Sequence, residues 1–393
     1  MIQIVKLFRQ SLPAALSLLT ILLAVLQPCP NPVGARVFVD AEMVHLFSFT
    51  HPSGTYVFGL EPCLENTIEA GQVVCGTNNK AASWWRINDD PGTGFTPAVR
   101  EAKMSNEYEA VTPFTLKDHP YIFGLHKAKG DYNANIWRIN DDAKGFDLKL
   151  YKGKMSTNYV HVVSFQLRGQ PYILGLHEKV GANIWSIKEG PKGLTWTLVK
   201  YKEKMSPNYQ HLKVFYMKGH PYIFGVHAVG ANIWRVKDDP SQGLDLVLYG
   251  AKFPKAYNYV LPFYAGDRTY LLGVASKNYY KEQVEIIQPM LQEGGPVANL
   301  VDVVLDIAGT GAVEWGKGYG CIWQIAGEAK SLSVKRIASK CVPISHRYTK
   351  MTAFEQAGKT YLFGVHEEQY ANIWRVNDDP ATGFALVYYG RNK

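Results

Sequence analysis

One spacing recurs six times along this 393-residue chain: a phenylalanine, nine residues, a glycine and, after a loop of variable length, a tryptophan. The phenylalanines are Phe49, Phe114, Phe165, Phe215, Phe263 and Phe354, and the glycines are Gly59, Gly124, Gly175, Gly225, Gly273 and Gly364. The tryptophans are Trp85, Trp137, Trp185, Trp234, Trp323 and Trp374. Six copies at one distance mark an array of a single structural unit of about fifty residues, a period at which β-propellers are common.

The third copy shows the unit with least interruption. Residues 160–168 (VHVVSFQLR) alternate apolar and polar, Gly169-Gln170 reads as a two-residue hairpin turn, and 171–178 (PYILGLHE) as a second strand. Residues 182–188 (ANIWSIK) and 194–201 (LTWTLVKY) supply a third and a fourth. Between these last two, the other copies carry turns such as NDDPGTG, NDDAKG, KDDPSQG and NDDPATG, where an Asp bonding its own backbone suits a tight turn. The apolar period is two rather than 3.6, which excludes helical repeats. The expected fold is therefore all-β: a six-bladed propeller of four-stranded antiparallel blades, closed into a ring without exposed sheet edges. The repeats span about 43–107, 108–158, 159–208, 209–256, 257–347 and 348–393, so residues 36–393 form one domain.

Packing accounts for the fixed positions. A glycine inside a buried strand marks a place where a large side chain approaches the backbone, here expected to be a neighbouring Trp or Phe. Tyr108, Tyr159, Tyr209, Tyr257 and Tyr348 each stand six residues before a repeat phenylalanine and are expected to bridge consecutive blades. Repeats one and five carry insertions between their second and third strands, at 62–82 and 275–320, expected to leave the same face of the ring.

Residues 354–375 (FEQAGKTYLFGVHEEQYANIWR) resemble hemopexin-type repeats in local pattern. The ANIWRI segments and near-identical copies are similar to tachylectin- and tectonin-type propeller lectins, at the level of architecture over 43–390. That resemblance implies equivalent sugar-binding determinants on each blade and assigns no individual residue.

Residues 1–35 read as a secretory signal: Lys6 and Arg9, an apolar run over 12–26, and a small-residue cleavage site at Val33-Gly34-Ala35. The run falls short of the roughly 20 residues needed to cross a bilayer, so no transmembrane span is expected after cleavage. Cys63, Cys75, Cys321 and Cys341 then remain, and an even number in an exported chain favours disulfides; local pairing, 63–75 and 321–341, is the simplest of three arrangements. The chain has 42 basic and 34 acidic residues, and removal of Lys6 and Arg9 leaves a formal charge of +6 with no dense basic cluster of the kind that binds nucleic acid.

Candidate site residues come from a pairing within the repeats. His126, His177, His227 and His366 follow the repeat glycine by two residues, and Asn135, Asn183, Asn232 and Asn372 precede the repeat tryptophan by two. Both are present in repeats two, three, four and six, and both are absent from repeats one and five, which have Glu61 with Ser83 and Ala275 with Cys321. Either the pair braces the uninterrupted loop by hydrogen bonds, or four loops display four like ligand pockets. The Asp pairs read as turn formers, since calcium needs six to eight oxygens that short loops do not gather. No metal site, cofactor motif or catalytic signature is found. The reading is a secreted binding protein, a lectin-like propeller whose partners are glycans or glycoconjugates. The alternatives are a protein-interaction or matrix-binding propeller and, third, a hydrolase or lyase with its site near 275–320.

Overall fold

The computed structural model describes Val39 and residues 43–61, 66–69, 72–75, 80–127, 130–191, 193–227, 230–254, 257–275, 318–328, 331–337, 341–345 and 347–390. All belong to one unit, Val37–Lys393. The segment 1–35, Cys63 and most of the repeat-five insertion (276–317) lie outside the described residues.

Every blade is one repeat. In the first, β1 (His45–His51) pairs with β2 (Gly54–Leu60), a separate hairpin forms from β3 (Asn66–Glu69) and β4 (Gln72–Cys75), and β5 (Ala82–Ile87) and β6 (Phe95–Ala102) complete the sheet. Blade two is β7 (Tyr108–Leu116), β8 (His119–His126), β9 (Ala134–Ile139) and β10 (Phe146–Gly153). Blade three is β11 (Tyr159–Leu167), β12 (Gln170–His177), β13 (Gly181–Gly190) and β14 (Gly193–Glu203). Blade four is β15 (His211–Met217), β16 (His220–His227), β17 (Gly230–Val236) and β18 (Leu244–Ala251). In blade five, β19 (Tyr257–Ala265), β20 (Arg268–Ala275) and β21 (Gly318–Ala326) are followed by a fourth position divided into β22 (Ser333–Arg336) and β23 (Val342–Ile344). Blade six is β24 (Tyr348–Gln356), β25 (Lys359–His366), β26 (Tyr370–Val376) and β27 (Phe384–Tyr389).

The expected six-bladed, all-β architecture is what the chain adopts. The first strands form the innermost ring: β1 touches β7, and β7, β11, β15, β19 and β24 follow in order until β24 returns to β1. No blade mixes the chain ends. Closure rests instead on contacts between blades one and six, in which Ser48 Oγ donates to the Ala353 carbonyl (2.7 Å) and Phe95 packs edge-on against Phe363.

Local chemistry explains the elements, with the blade-three boundaries within two residues of expectation. In blade three the turn is Arg168-Gly169 rather than Gly169-Gln170, because Leu167 pairs with Gln170. Both turn residues have positive φ (53° and 76°), the geometry whose twist matches a hairpin. The Asp pairs divide their work. The second Asp caps a turn, as when Gly92 N donates to Asp90 Oδ1 (2.9 Å), and the first binds the arginine of the third strand, as Asp89 does Arg86 (2.7 Å). Among the described residues no acidic, histidine and cysteine cluster suited to a metal ion occurs.

One packing expectation needs correction. The ring lying on each repeat glycine of blades two to six belongs mainly to the repeat tyrosine of the same blade, with Trp137 and Trp374 also close, rather than to a Trp or Phe alone. A Cβ on Gly225 would come within 2.6 Å of the Tyr209 ring, and one on Gly273 within 2.4 Å of the Tyr257 ring. In blade one Met43 takes the tyrosine's place against Gly59. The repeat tyrosines share hydrophobic clusters with the preceding blade, Tyr108 with Trp84, Tyr209 with Leu174, Tyr257 with Phe224 and Tyr348 with Leu272. Backbone adds to the bridging: the Tyr108, Tyr209 and Tyr257 carbonyls accept from His45, His161 and His211 of the preceding blades.

Candidate functional site

The eight His and Asn residues converge, blade by blade, on the repeat tyrosine. In each of the four repeats the Asn amide is buried, at most 5% exposed, and both its ends are occupied. Nδ2 donates to the tyrosine hydroxyl: Asn135 to Tyr108 (2.9 Å), Asn183 to Tyr159 (2.7 Å), Asn232 to Tyr209 (2.8 Å) and Asn372 to Tyr348 (2.6 Å). Oδ1 accepts a backbone N–H near the end of the fourth strand: Lys152, Lys202, Gly250 and Gly390 respectively, at 2.9–3.1 Å. In blade two, three and four that residue has φ of 56–65°, a left-handed bulge that otherwise leaves its N–H unpaired. The tyrosine hydroxyl is buried enough that its pKa rises, chiefly by desolvation, in Tyr108, Tyr159 and Tyr348.

The histidines stand edge-on to the same rings, His126 to Tyr108 at 5.1 Å, His177 to Tyr159 at 5.2 Å, and His227 to Tyr209 and His366 to Tyr348 at 5.5 Å. His177 Nδ1 and His366 Nδ1 accept backbone N–H groups of the adjoining loop, from Lys179 (3.1 Å) and Glu368 (3.2 Å). His126 Nε2 lies 3.4 Å from the Glu107 carboxylate, whereas His227 Nε2 is enclosed and has no hydrogen-bond partner.

This stack is the floor of a cavity. In blade two the cavity is 680 Å³, lined by Tyr108, His126, Asn135, Trp137, Leu148 and Tyr151 with Lys103 and Lys152 at its edge. In blade three it is 620 Å³, lined by Tyr159, Asn183, Trp185, Trp196, Leu198 and Tyr201. In blade six it is 450 Å³, lined by Tyr348, His366, Asn372, Trp374, Leu386 and Tyr389. The repeat tryptophans in these three blades are buried. The accessible apolar surface comes instead from the fourth strand: Leu148 and Tyr151, Leu198 and Tyr201, Leu246 and Tyr249, Leu386 and Tyr389, with the tyrosines 37–70% exposed.

Sequence reasoning missed these pairs, although they are written plainly as Leu-x-x-Tyr in repeats two, three, four and six. At the corresponding positions repeat one has Pro97 and Arg100, so the motif is lost with the His and Asn. The Asn brace explains the linkage, because it fastens the backbone immediately after each exposed tyrosine. Blade one substitutes Ser83 Oγ, which accepts from Glu101 N (3.3 Å). Blade five substitutes a covalent bond: Cys321 occupies the Asn position and is disulfide-bonded to Cys341, beside β23. That pairing agrees with expectation; the proposed 63–75 bond involves Cys63 and lies outside the described residues.

Comparison with known proteins gives the class of molecule. No family model matches the sequence, and no curated protein sequence matches it. Among solved structures the fucose-specific lectin from Aleuria aurantia superposes with a TM-score of 0.50 at 10% identity, covering 90% of this chain and 96% of that one. A second structure of that lectin, described as six-bladed, gives the same score and covers 99% of its own chain. An α-L-arabinofuranosidase from Clostridium thermocellum gives 0.40 at 13% identity over 76% and 93%, too loose a superposition to bear on the site. The chain is a six-bladed β-propeller with lectins among its structural neighbours. At these identities the likeness speaks to the fold alone.

Proposed function

We propose that the protein is a multivalent carbohydrate-binding propeller whose ligands seat in the cavities of blades two, three and six and on the matching exposed Leu246–Tyr249 surface of blade four. The observation that carries this reading is the fourfold Leu-x-x-Tyr platform, exposed and held over the largely buried Tyr–His–Asn–Trp stack. A half-exposed tyrosine offers a rigid apolar ring with a polar tip, which suits the C–H face and hydroxyls of a sugar. The leucine beside it suits a sugar bearing a methyl group, and the lysines at the blade-two rim can donate to ring hydroxyls. In this reading Tyr151, Tyr201, Tyr249 and Tyr389 touch the ligand. His126, Asn135, His177, Asn183, His227, Asn232, His366 and Asn372 form the floor, with the histidines able to meet a ligand at its edge.

Individually weak sites on one rigid ring gain avidity of about 10²–10⁴ when geometry lets several engage one surface. We place this activity outside the cell, with residues 1–35 as the secretory signal; the Cys321–Cys341 disulfide fits an oxidising compartment. Among the described residues no helix is long and apolar enough to cross a membrane. A glycan array probed with the purified protein, including fucosides and a chelator control, tests the reading. Binding that is abolished when all four platform tyrosines become alanine supports it. Absence of any glycan signal, with capture of a protein partner by the same surface, would replace it with the protein-interaction alternative.

A further inference from the structure

The innermost strands bring together side chains that no repeat pattern predicts. Four residues before each repeat phenylalanine stand His45, Ala110, His161, His211, Tyr259 and Lys350, and Lys213 lies two positions beyond His211 on the same face of β15. Ring closure gathers these positions around the propeller axis, at the end of the ring where the second strands finish and the third begin. It is the face that carries the three cavities.

The histidines there are committed. His45 Nε2–H donates to the Tyr108 carbonyl (2.9 Å), His161 to Tyr209 (2.5 Å) and His211 to Tyr257 (2.6 Å). Tyr259 likewise donates from its hydroxyl to the Tyr348 carbonyl (3.0 Å). Lys213 and Lys350 are not committed: among the described residues neither makes an ion pair or a hydrogen bond. Both are only partly accessible to solvent. Their ammonium groups are held below the usual lysine range by burial first, and for Lys213 also by Lys350. The charged neighbours of this group are themselves bases: Lys213 beside His161 and His211, Lys350 and Lys127 beside His45. Glu109 of β7 is exposed and has Lys127 as its charged neighbour. At the opposite end of the axis the first strands are tied across by neutral groups, as Gln166 N donates to the Tyr216 hydroxyl (2.7 Å) and Tyr216 N to the Tyr264 hydroxyl (2.8 Å).

A partly buried cation with no partner is costly, and two near one another cost more unless something anionic enters. From this arrangement we infer that the axial cluster of Lys213 and Lys350, with His45, His161 and His211 beside it, is a binding site for a small oxyanion. The chemistry shared by candidate ligands is a compact group with two or more anionic oxygens, either an inorganic oxyanion or the carboxylate of an acidic sugar. Each lysine supplies a charge-assisted hydrogen bond. The histidines already give Nε2–H to backbone carbonyls, so the lysines are the donors left for the anion. This inference does not depend on the sugar reading of the blade cavities.

Calorimetric titration of the purified protein with inorganic phosphate and, separately, with glucuronate, each at constant ionic strength in chloride, tests it. Saturable binding of one anion per chain is expected, with affinity at least tenfold lower in both Lys213→Met and Lys350→Met. Phosphate binding identifies an inorganic-type oxyanion site, and binding of glucuronate alone identifies an acidic-sugar site. Lys213→Gln, which keeps a polar side chain without charge, serves if the methionine variant folds poorly and should lose affinity equally. Failure of both anions to bind, or wild-type affinity in the folded lysine variants, overturns the proposal.

Discussion

Replacing Asn372 by alanine separates a floor that supports binding from one that performs it. The amide is 3% exposed, donates to the Tyr348 hydroxyl at 2.6 Å and accepts from Gly390 N at 3.1 Å, and both bonds are buried. Truncation leaves two buried polar groups without partners, each costing about 1–3 kcal/mol, so a loss of about 2–5 kcal/mol is expected. Asn183→Ala makes the internal comparison, since its two bonds are only part-buried and water can replace a lost partner. Its cost should sit nearer about 1–2 kcal/mol, the range of an ordinary net hydrogen bond plus partial desolvation. Urea unfolding of both variants measures the costs, and glycan binding per folded molecule is measured alongside. A loss below about 0.5 kcal/mol for Asn372→Ala, within the range of a surface substitution, with weakened binding would refute the bracing argument and make the amide a ligand contact.

The remaining predictions concern the frame. Gly225→Ala drives a methyl group into the Tyr209 ring at 2.6 Å and should destabilise by about 1–3 kcal/mol, the usual cost of overpacking; an unchanged melting temperature would show that the ring can yield. Removing the Cys321–Cys341 bond, whose partners are 20 residues apart, should cost about 3 kcal/mol by chain entropy, read as a lower melting temperature of the double alanine variant; no change would mean that β23 is held by its pairing alone. Burial, and secondarily the nearby lysines, lower the pKa of His45 to about 4 and depress those of His161 and His211. The unfolded chain takes up protons below about pH 6.5 that the folded one refuses, so this stability is complete above that pH and lost as it falls toward 4. His45→Gln, which can still donate to the Tyr108 carbonyl, should flatten the acid loss; an identical pH profile would contradict the assignment.

The architecture was legible because its signal is steric and local. The Phe-to-Gly spacing persists because a tyrosine ring lies on each glycine, and the Asn–Tyr–backbone bonds keep Trp137, Trp185, Trp234 and Trp374 in register with it. The linked presence of His and Asn pointed to the loop between strands two and three, which His177 and His366 do serve, whereas the Asn side chains fasten the end of the fourth strand. Cys321 at the Asn position marked the disulfide that replaces the brace. The exposed Leu-x-x-Tyr pairs escaped notice because the preceding turns differ in length and a bulge shifts the pairing between Leu148 and Leu150, which blurs a fixed-distance comparison. The axial lysines were not legible at all. His45 and Lys350 hold one repeat position with different side chains and Lys213 lies at another, so only ring closure brings these bases together.

Native mass spectrometry of the purified protein with the monosaccharide giving the strongest array signal tests the central claim most directly. Four equivalent sites per chain are predicted, one for each repeat that keeps the exposed tyrosine, and Tyr249→Ala alone should reduce the number to three. A single site, or four that survive loss of all four tyrosines, would contradict the account.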